Sequence, residues 1–234
     1  RLLKYTVNDS ILLSNVLLSD AVMFEMLFPK EASFVVKAYE EFTLQSATSI
    51  AERFGRDTGH ISRVSSVALE IYDKMKKLHG YKLRERTLLQ VSAILQDIGK
   101  YVNVRNHALL SYNTITNLDI VGINDHERLI IATVCYYHNG NIPSMDSPIY
   151  NQLSQEDRVM VSKLAAILQI SNAINTSHSP KFEQVSVNMK NGKLNIYLTT
   201  LKNINLEKWA FIAKTKLFRE VYGLNATIIK RGVL

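Results

Sequence analysis

Apolar residues recur every three or four positions through most of this chain and switch to strict alternation near its end. Ser10 to Phe28 is rich in Leu, Val and Met and stops at Pro29, as a helix does. Ala32 to Phe54 carries Val35, Val36, Tyr39, Phe42 and Leu44 at helical spacing. Asp57 is placed to cap a further helix running through Val64, Val67, Ala68, Ile71 and Met75 to a stop at His79-Gly80. Thr87 to Asp97 reads as another, ended by Gly99. Asn124-Asp125-His126-Glu127 has the form of a capping box, opening a helix through Leu129, Ile130, Ala132 and Val134 to Asn139-Gly140. A loop containing prolines follows, from Ile142 to Pro148. Ser154-Gln155-Glu156-Asp157 then starts the helix that ends near Asn175.

Beyond Pro180 the period changes from helical to two. Gln184 to Met189 alternates polar and apolar residues, Asn191-Gly192 is a two-residue hairpin turn, and Leu194 to Leu198 alternates again. Asn205 is placed to cap a helix from Leu206 to Tyr222, stopped by Gly223, and Asn225 to Ile229 reads as a last strand. The expected fold is therefore mainly α, with a small β-β-α-β unit at the end. The expected divisions are residues 1–30, 31–178 and 179–234.

Composition narrows the function classes. The chain has 234 residues, 47% of them hydrophobic, enough for a packed core. The single Cys135 excludes an internal disulfide framework and fits a reducing, cytoplasmic setting. No apolar run is long enough to span a bilayer and no signal peptide is visible. The first residue is Arg1, so a piece of a longer protein is expected. The net charge of +7 is localised: residues 179–234 hold ten basic side chains against three acidic ones, and the rest of the chain is neutral. Such asymmetry points to a polyanion, although charge alone fits a bare solvated face equally well.

The candidate chemistry lies at His60, at Gln96-Asp97-Ile98-Gly99-Lys100, and at Asn172 in the apolar run after Leu164. Their order resembles the HD-domain phosphohydrolase pattern, in which a His, a His-Asp pair and a late Asp hold a metal. Here Gln96 and Asn172 stand at two of those four positions. An amide offers only a neutral carbonyl oxygen, whereas a catalytic divalent ion wants imidazole or carboxylate. His60 and Asp97 alone supply two good ligands and one charge. This favours a hydrogen-bonded helical scaffold over a metal centre.

The resemblance extends beyond that site. Arg53-Phe54-Gly55 with Asp57 and His60, Leu95 to Gly99, His107 with Ser111-Tyr112, Asp119 to Gly122, Tyr137-His138, Leu153-Ser154 with Asp157-Arg158, and Lys163 to Leu168 are similar, in order and spacing, to the C-terminal half of the exopolyphosphatase and guanosine pentaphosphate phosphohydrolase family. The likeness runs from about Ser10 to the end. It implies an HD-domain-like helical bundle followed by the small α+β tail, in a cytoplasmic homodimer. It also implies that catalysis belongs to an upstream actin-like domain pair, with magnesium, whose Gly-rich loops do not occur here. Ser14 to Val22 would be the last helix of that catalytic region, although Leu17-Leu18-Ser19-Asp20-Ala21 departs from the family's Gly-Leu-Arg-Glu-Gly. His107 and His138 match histidines common near the family's pocket and are possible further ligands, although a His at a helix end is more often structural.

The reading that follows is a non-catalytic module, without a cofactor of its own, that holds polyphosphate or guanosine penta- or tetraphosphate. The expected contacts are Lys181, Lys190, Lys193, Lys202, Lys208, Lys214, Lys216, Arg219, Lys230 and Arg231 in the tail, extended by Arg63, Lys100 and Arg105. The rivals are a stand-alone HD-type metal-dependent phosphohydrolase and a dimerisation scaffold. Nucleic acid is disfavoured because the tail aromatics, such as Phe211 and Phe218, fall where a core needs them.

Overall fold

The computed structural model describes residues 29–177, 181–190 and 192–232. Helix α1 spans Pro29–Arg53 and straddles a boundary between two compact units that falls after Glu41. The helix expected over Ser10 to Phe28 lies outside the described residues. Within the second unit, Thr43, Ala47, Ile50 and Ala51 form the buried face of α1, while Phe42 is exposed. Of the expected apolar face, Tyr39 and Phe42 are exposed and Leu44 is half-buried against the core.

The remaining elements follow from capping and periodicity. Helix α2 (Thr58–Lys74) starts as expected, with Asp57 accepting from the Gly59 N–H. Its stripe Val64, Val67, Ala68 and Ile71 is fully buried. The backbone breaks at Met75 before the single turn α3 (Lys76–His79), which Gly80 ends at φ +73°. Helix α4 (Leu83–Leu95) begins a turn earlier than Thr87, because Glu85 reaches back to the Lys82 N–H at 2.8 Å. A 3-10 turn (Ile98–Tyr101) and α5 (His107–Ile115) follow. The short α5 has no apolar period of its own to announce it. Helix α6 (Asp125–Tyr137) carries the expected capping box between Asn124 and Glu127. A single turn, α7 (Pro148–Asn151), precedes α8 (Gln155–Ile174), which Ser154 caps.

Helix α8 is the central strut. From Leu164 to Ile174 only interruptions such as Asn172 escape full burial. Helices α2, α4 and α6 pack against it, and so does α9 (Asn205–Tyr222) from the tail. The α9 start differs slightly from expectation: Asn203, not Asn205, supplies the local side-chain acceptor. Strands β1 (Gln184–Lys190) and β2 (Lys193–Thr199) form the hairpin, paired at Lys190↔Lys193. Strand β3 (Asn225–Arg231) pairs parallel to β2, so the sheet order is β1-β2-β3 and α9 is the crossover. Leu194, Ile196 and Leu198 on β2 and Phe211, Leu217 and Phe218 on α9 join the same hydrophobic cluster as the helices. The tail therefore shares one core with the helical part, within residues 42–234.

Candidate functional site

Five segments deliver polar side chains to one buried place. The first turn of α2 supplies His60, the end of α4 supplies Gln96 and Asp97, the start of α5 supplies His107, the end of α6 supplies His138, and the end of α8 supplies Asn175. All six are buried. Two small residues set the spacing. The Ser111 hydroxyl accepts from the Gly99 N–H at 2.9 Å and donates to the Gln96 carbonyl at 2.8 Å, stapling α5 to the chain after α4. A Cβ on Gly99 would sit 2.2 Å from the His107 carbonyl oxygen, so only glycine permits this approach.

Asp97 is the hub. Its Oδ2 accepts from Lys100 Nζ at 2.7 Å, while Oδ1 lies 3.3 Å from His138 Nε2 and 3.6 Å from His107 Nε2. The two imidazole Nε2 atoms are 3.3 Å apart. Each ring is oriented by a backbone carbonyl: His107 Nδ1 donates to Val104 O at 2.7 Å, and His138 Nδ1 to Cys135 O at 2.5 Å. Both Nε2 atoms then carry lone pairs in the neutral rings and face the carboxylate. Burial would raise the Asp97 carboxyl, but the Lys100 ammonium, together with the His138 ring once it is protonated, outweighs it and holds the group well below the usual carboxylate range. Burial lowers His107, and its carbonyl bond only partly offsets this.

His60 belongs to the other side of the hub. Its Nε2 is 3.8 Å from Asp97 Oδ2. Asn175 uses its oxygen to accept from Arg63 Nε at 3.3 Å, so its amide nitrogen, 2.7 Å from His60 Nδ1, donates to that ring. The proton of the neutral His60 ring is thereby placed on Nε2, toward Asp97, and the ring presents no lone pair there. The asparagine joined to the cluster is Asn175; Asn172, one turn earlier, uses its backbone carbonyl to accept from the Asn175 N–H.

The donor set fits a metal at Asp97, His107 and His138. These three form the one His/Cys/Asp/Glu group among the described residues whose ligand atoms all lie within 4.8 Å of one another. Adjacent ligands of a tetrahedral zinc-like ion sit about 3.3–3.4 Å apart for bonds of about 2.0–2.1 Å. The separations above are 3.3, 3.3 and 3.6 Å, one face of such a tetrahedron. Beside them lies a cavity of about 270 Å³ lined by Arg56, Asp57, His60, Gln96, Asp97 and Lys100, among others. Gln96 is 1% exposed, and neither polar atom of its amide has a hydrogen-bond partner.

A model of the Ppx/GppA phosphatase family, domain III, matches residues 44–217. The chain belongs to that family. The match covers the helical region and continues through most of α9, so the Ppx/GppA domain here includes the cluster and the first two strands of the tail. No helix among the described residues is long and apolar enough to cross a membrane.

The cations of this Ppx/GppA chain divide into separate groups. Lys214 of α9 lies against the Gly140 turn, where burial lowers its pKa, the Asp97 charge raises it and the Lys100 charge lowers it. Lys181 is committed to the buried Glu207 at 3.0 Å. Arg231 covers the Tyr197 ring at 3.7 Å, Lys230 donates to Leu201 O at 3.0 Å, and Lys216 lies 4.0 Å from Glu220. Lys190, Lys193, Lys202, Lys208, Arg219 and Arg105 are exposed. Arg63 bridges Asn175 and, at 3.8 Å, Asp57. The sequence reading missed Arg56 and Asn175. Arg56 carried no signal beyond its place next to Asp57, and Asn175 was masked by the better-placed Asn172.

Proposed function

We propose that this chain is the substrate-holding region of a Ppx/GppA phosphatase, binding a chain of phosphates, either polyphosphate or a guanosine penta- or tetraphosphate, for an actin-like catalytic domain. The observation that carries this reading is that Lys214 of the tail helix lies against the Gly140 turn after α6 and within electrostatic reach of Asp97 and Lys100. The basic tail and the helical pocket thereby share one electrostatic site, with Arg56 at the same cavity. The half-buried Arg56, Lys100 and Lys214 outnumber the carboxylates Asp57 and Asp97 at this place and favour an anion, and Arg and Lys are the side chains that grip phosphate. The exposed Lys190, Lys193, Lys208 and Arg219 extend the attraction along the tail surface. Homodimerisation belongs to the same reading and gives a long ligand two such surfaces.

The test is calorimetric titration with polyphosphate of defined length at low and high salt, after metal analysis of the same sample. Binding that weakens steeply with salt and is reduced by Lys214→Ala is expected. Absence of binding at low salt overturns the reading.

The triad spacing favours a second reading, an HD-type metal-dependent phosphohydrolase. A divalent ion at Asp97, His107 and His138 supplies a Lewis acid and an acidified water. The chain's own part is then to orient both rings through Val104 and Cys135 and to grip the phosphate with Arg56. Metal at one equivalent per chain, with phosphate-ester hydrolysis lost in His138→Ala, would support it. A metal-free, inactive protein would dismiss it.

A further inference from the structure

We infer that Lys100 decides which cation neutralises Asp97: its ammonium is a built-in occupant that holds the divalent-metal affinity of the Asp97–His107–His138 face low. The inference concerns this face itself and does not depend on the phosphate-holding reading.

The face is otherwise ready for a metal. Its three donor atoms have tetrahedral spacing, and both rings are locked with their Nε2 atoms inward by carbonyl partners. Ligating histidines are oriented in this way by a second hydrogen bond. Asp97 Oδ1 faces the rings while accepting no well-formed hydrogen bond of its own, although it is buried. What sets this face apart is the other carboxylate oxygen. Lys100, three residues on, holds Oδ2 at 2.7 Å from a 3-10 turn, with its side chain 22% exposed. The charge of the one carboxylate in the group is therefore already balanced, and Lys214 adds a second positive charge nearby. A divalent ion entering the face meets a single carboxylate that an ammonium group already occupies. Coulomb repulsion at such distances, in a poorly solvated place, costs several-fold to many-fold in affinity.

If the ammonium is the barrier, removing its charge opens the site. The experiment titrates the purified full chain with Co²⁺, followed by its visible absorption and by calorimetry, in wild type, Lys100→Gln, Lys100→Met and Lys100→Arg. Lys100→Gln keeps a neutral donor for Asp97 and protects folding where Lys100→Met does not; circular dichroism checks both. The expected result is one Co²⁺ per chain in the Gln and Met variants, at least tenfold tighter than in wild type, with the intense bands of tetrahedral cobalt. Lys100→Arg keeps the charge and stays at the wild-type level. Adding His107→Ala to Lys100→Gln abolishes the gain. The inference is overturned if wild type binds as tightly as the neutral variants, if a natively folded neutral variant gains nothing, or if Lys100→Arg gains equally. Polyphosphate titration of wild type addresses the holding reading separately, so either result stands without the other.

Discussion

At residue scale the cluster rests on a glycine and a carboxylate. Gly99→Ala would place a methyl group 2.2 Å from the His107 carbonyl oxygen and 2.5 Å from the Ser111 nitrogen, both backbone atoms. Neither can yield without moving α5, so a loss of about 1–3 kcal/mol or more is expected in urea denaturation. A neutral result would mean that α5 slides freely. Asp97→Asn leaves the partly exposed Lys100 ammonium without its counter-charge and is expected to destabilise the fold, by less than the ~3–5 kcal/mol of a fully buried stranded charge. The pH dependence gives the sign independently. The folded carboxyl titrates below its unfolded value of about 3.9, so its stabilisation is complete above that value and fades as the pH falls through the lower folded value. The gap between wild type and Asp97→Asn should therefore narrow as the pH falls below about 3.9.

At the scale of elements, caps and one buried ion pair fix where helices begin. Asn124 accepts from the Glu127 N–H at 2.9 Å and Glu127 reaches back at 3.2 Å, and the same Glu127 binds Arg84. Asn124→Ala should cost about 1 kcal/mol, measurable as a lowered unfolding midpoint, and spare the cluster at the opposite end of α6. Helix α9 is tied to the chain after α8 by Lys181 and Glu207, the latter 0% exposed. Lys181→Met strands a buried carboxylate and should destabilise by about 3–5 kcal/mol. The double change Lys181→Met with Glu207→Met should recover most of that loss. If the single change is harmless, the pair does not anchor α9.

At the scale of the molecule, the two parts of the sequence with different periods become one body with one site. Of the ten basic residues of the tail, Lys181 is paired with Glu207 and Arg231 covers the Tyr197 ring, whereas Lys190, Lys193, Lys208 and Arg219 are exposed. Replacing Lys190, Lys193, Lys208 and Arg219 together by Gln should flatten the salt dependence of polyphosphate binding. By the counterion-release relation, as in nucleic acids, the slope drops by roughly 0.7–0.9 for each phosphate that is no longer neutralised. An unchanged slope would put the phosphate-binding cations elsewhere. Lys181→Met, whose charge is already paired, should leave the slope alone.

Much of this was legible in the chain because local signals decide local structure. The caps at Asp57, Asn124 and Ser154, the stop at Gly80, the hairpin and the alternation on β2 are each set within a few residues. The family resemblance put His60, Asp97, His107 and His138 in one neighbourhood, and they lie together. The sequence by itself could not decide which asparagine meets His60, since Asn172 and Asn175 lie on one helix end and differ only in the direction their side chains take. Nor could it decide that His107 and His138 share Asp97 Oδ1 while His60 lies near Oδ2, or that one tail lysine of ten basic residues comes within electrostatic reach of Asp97 and Lys100. Those outcomes depend on how α2, α5, α6 and α9 lean on α8 and on one another. Side-chain direction at a helix end is set by the packing of the whole helix, and that is a property only the tertiary structure possesses.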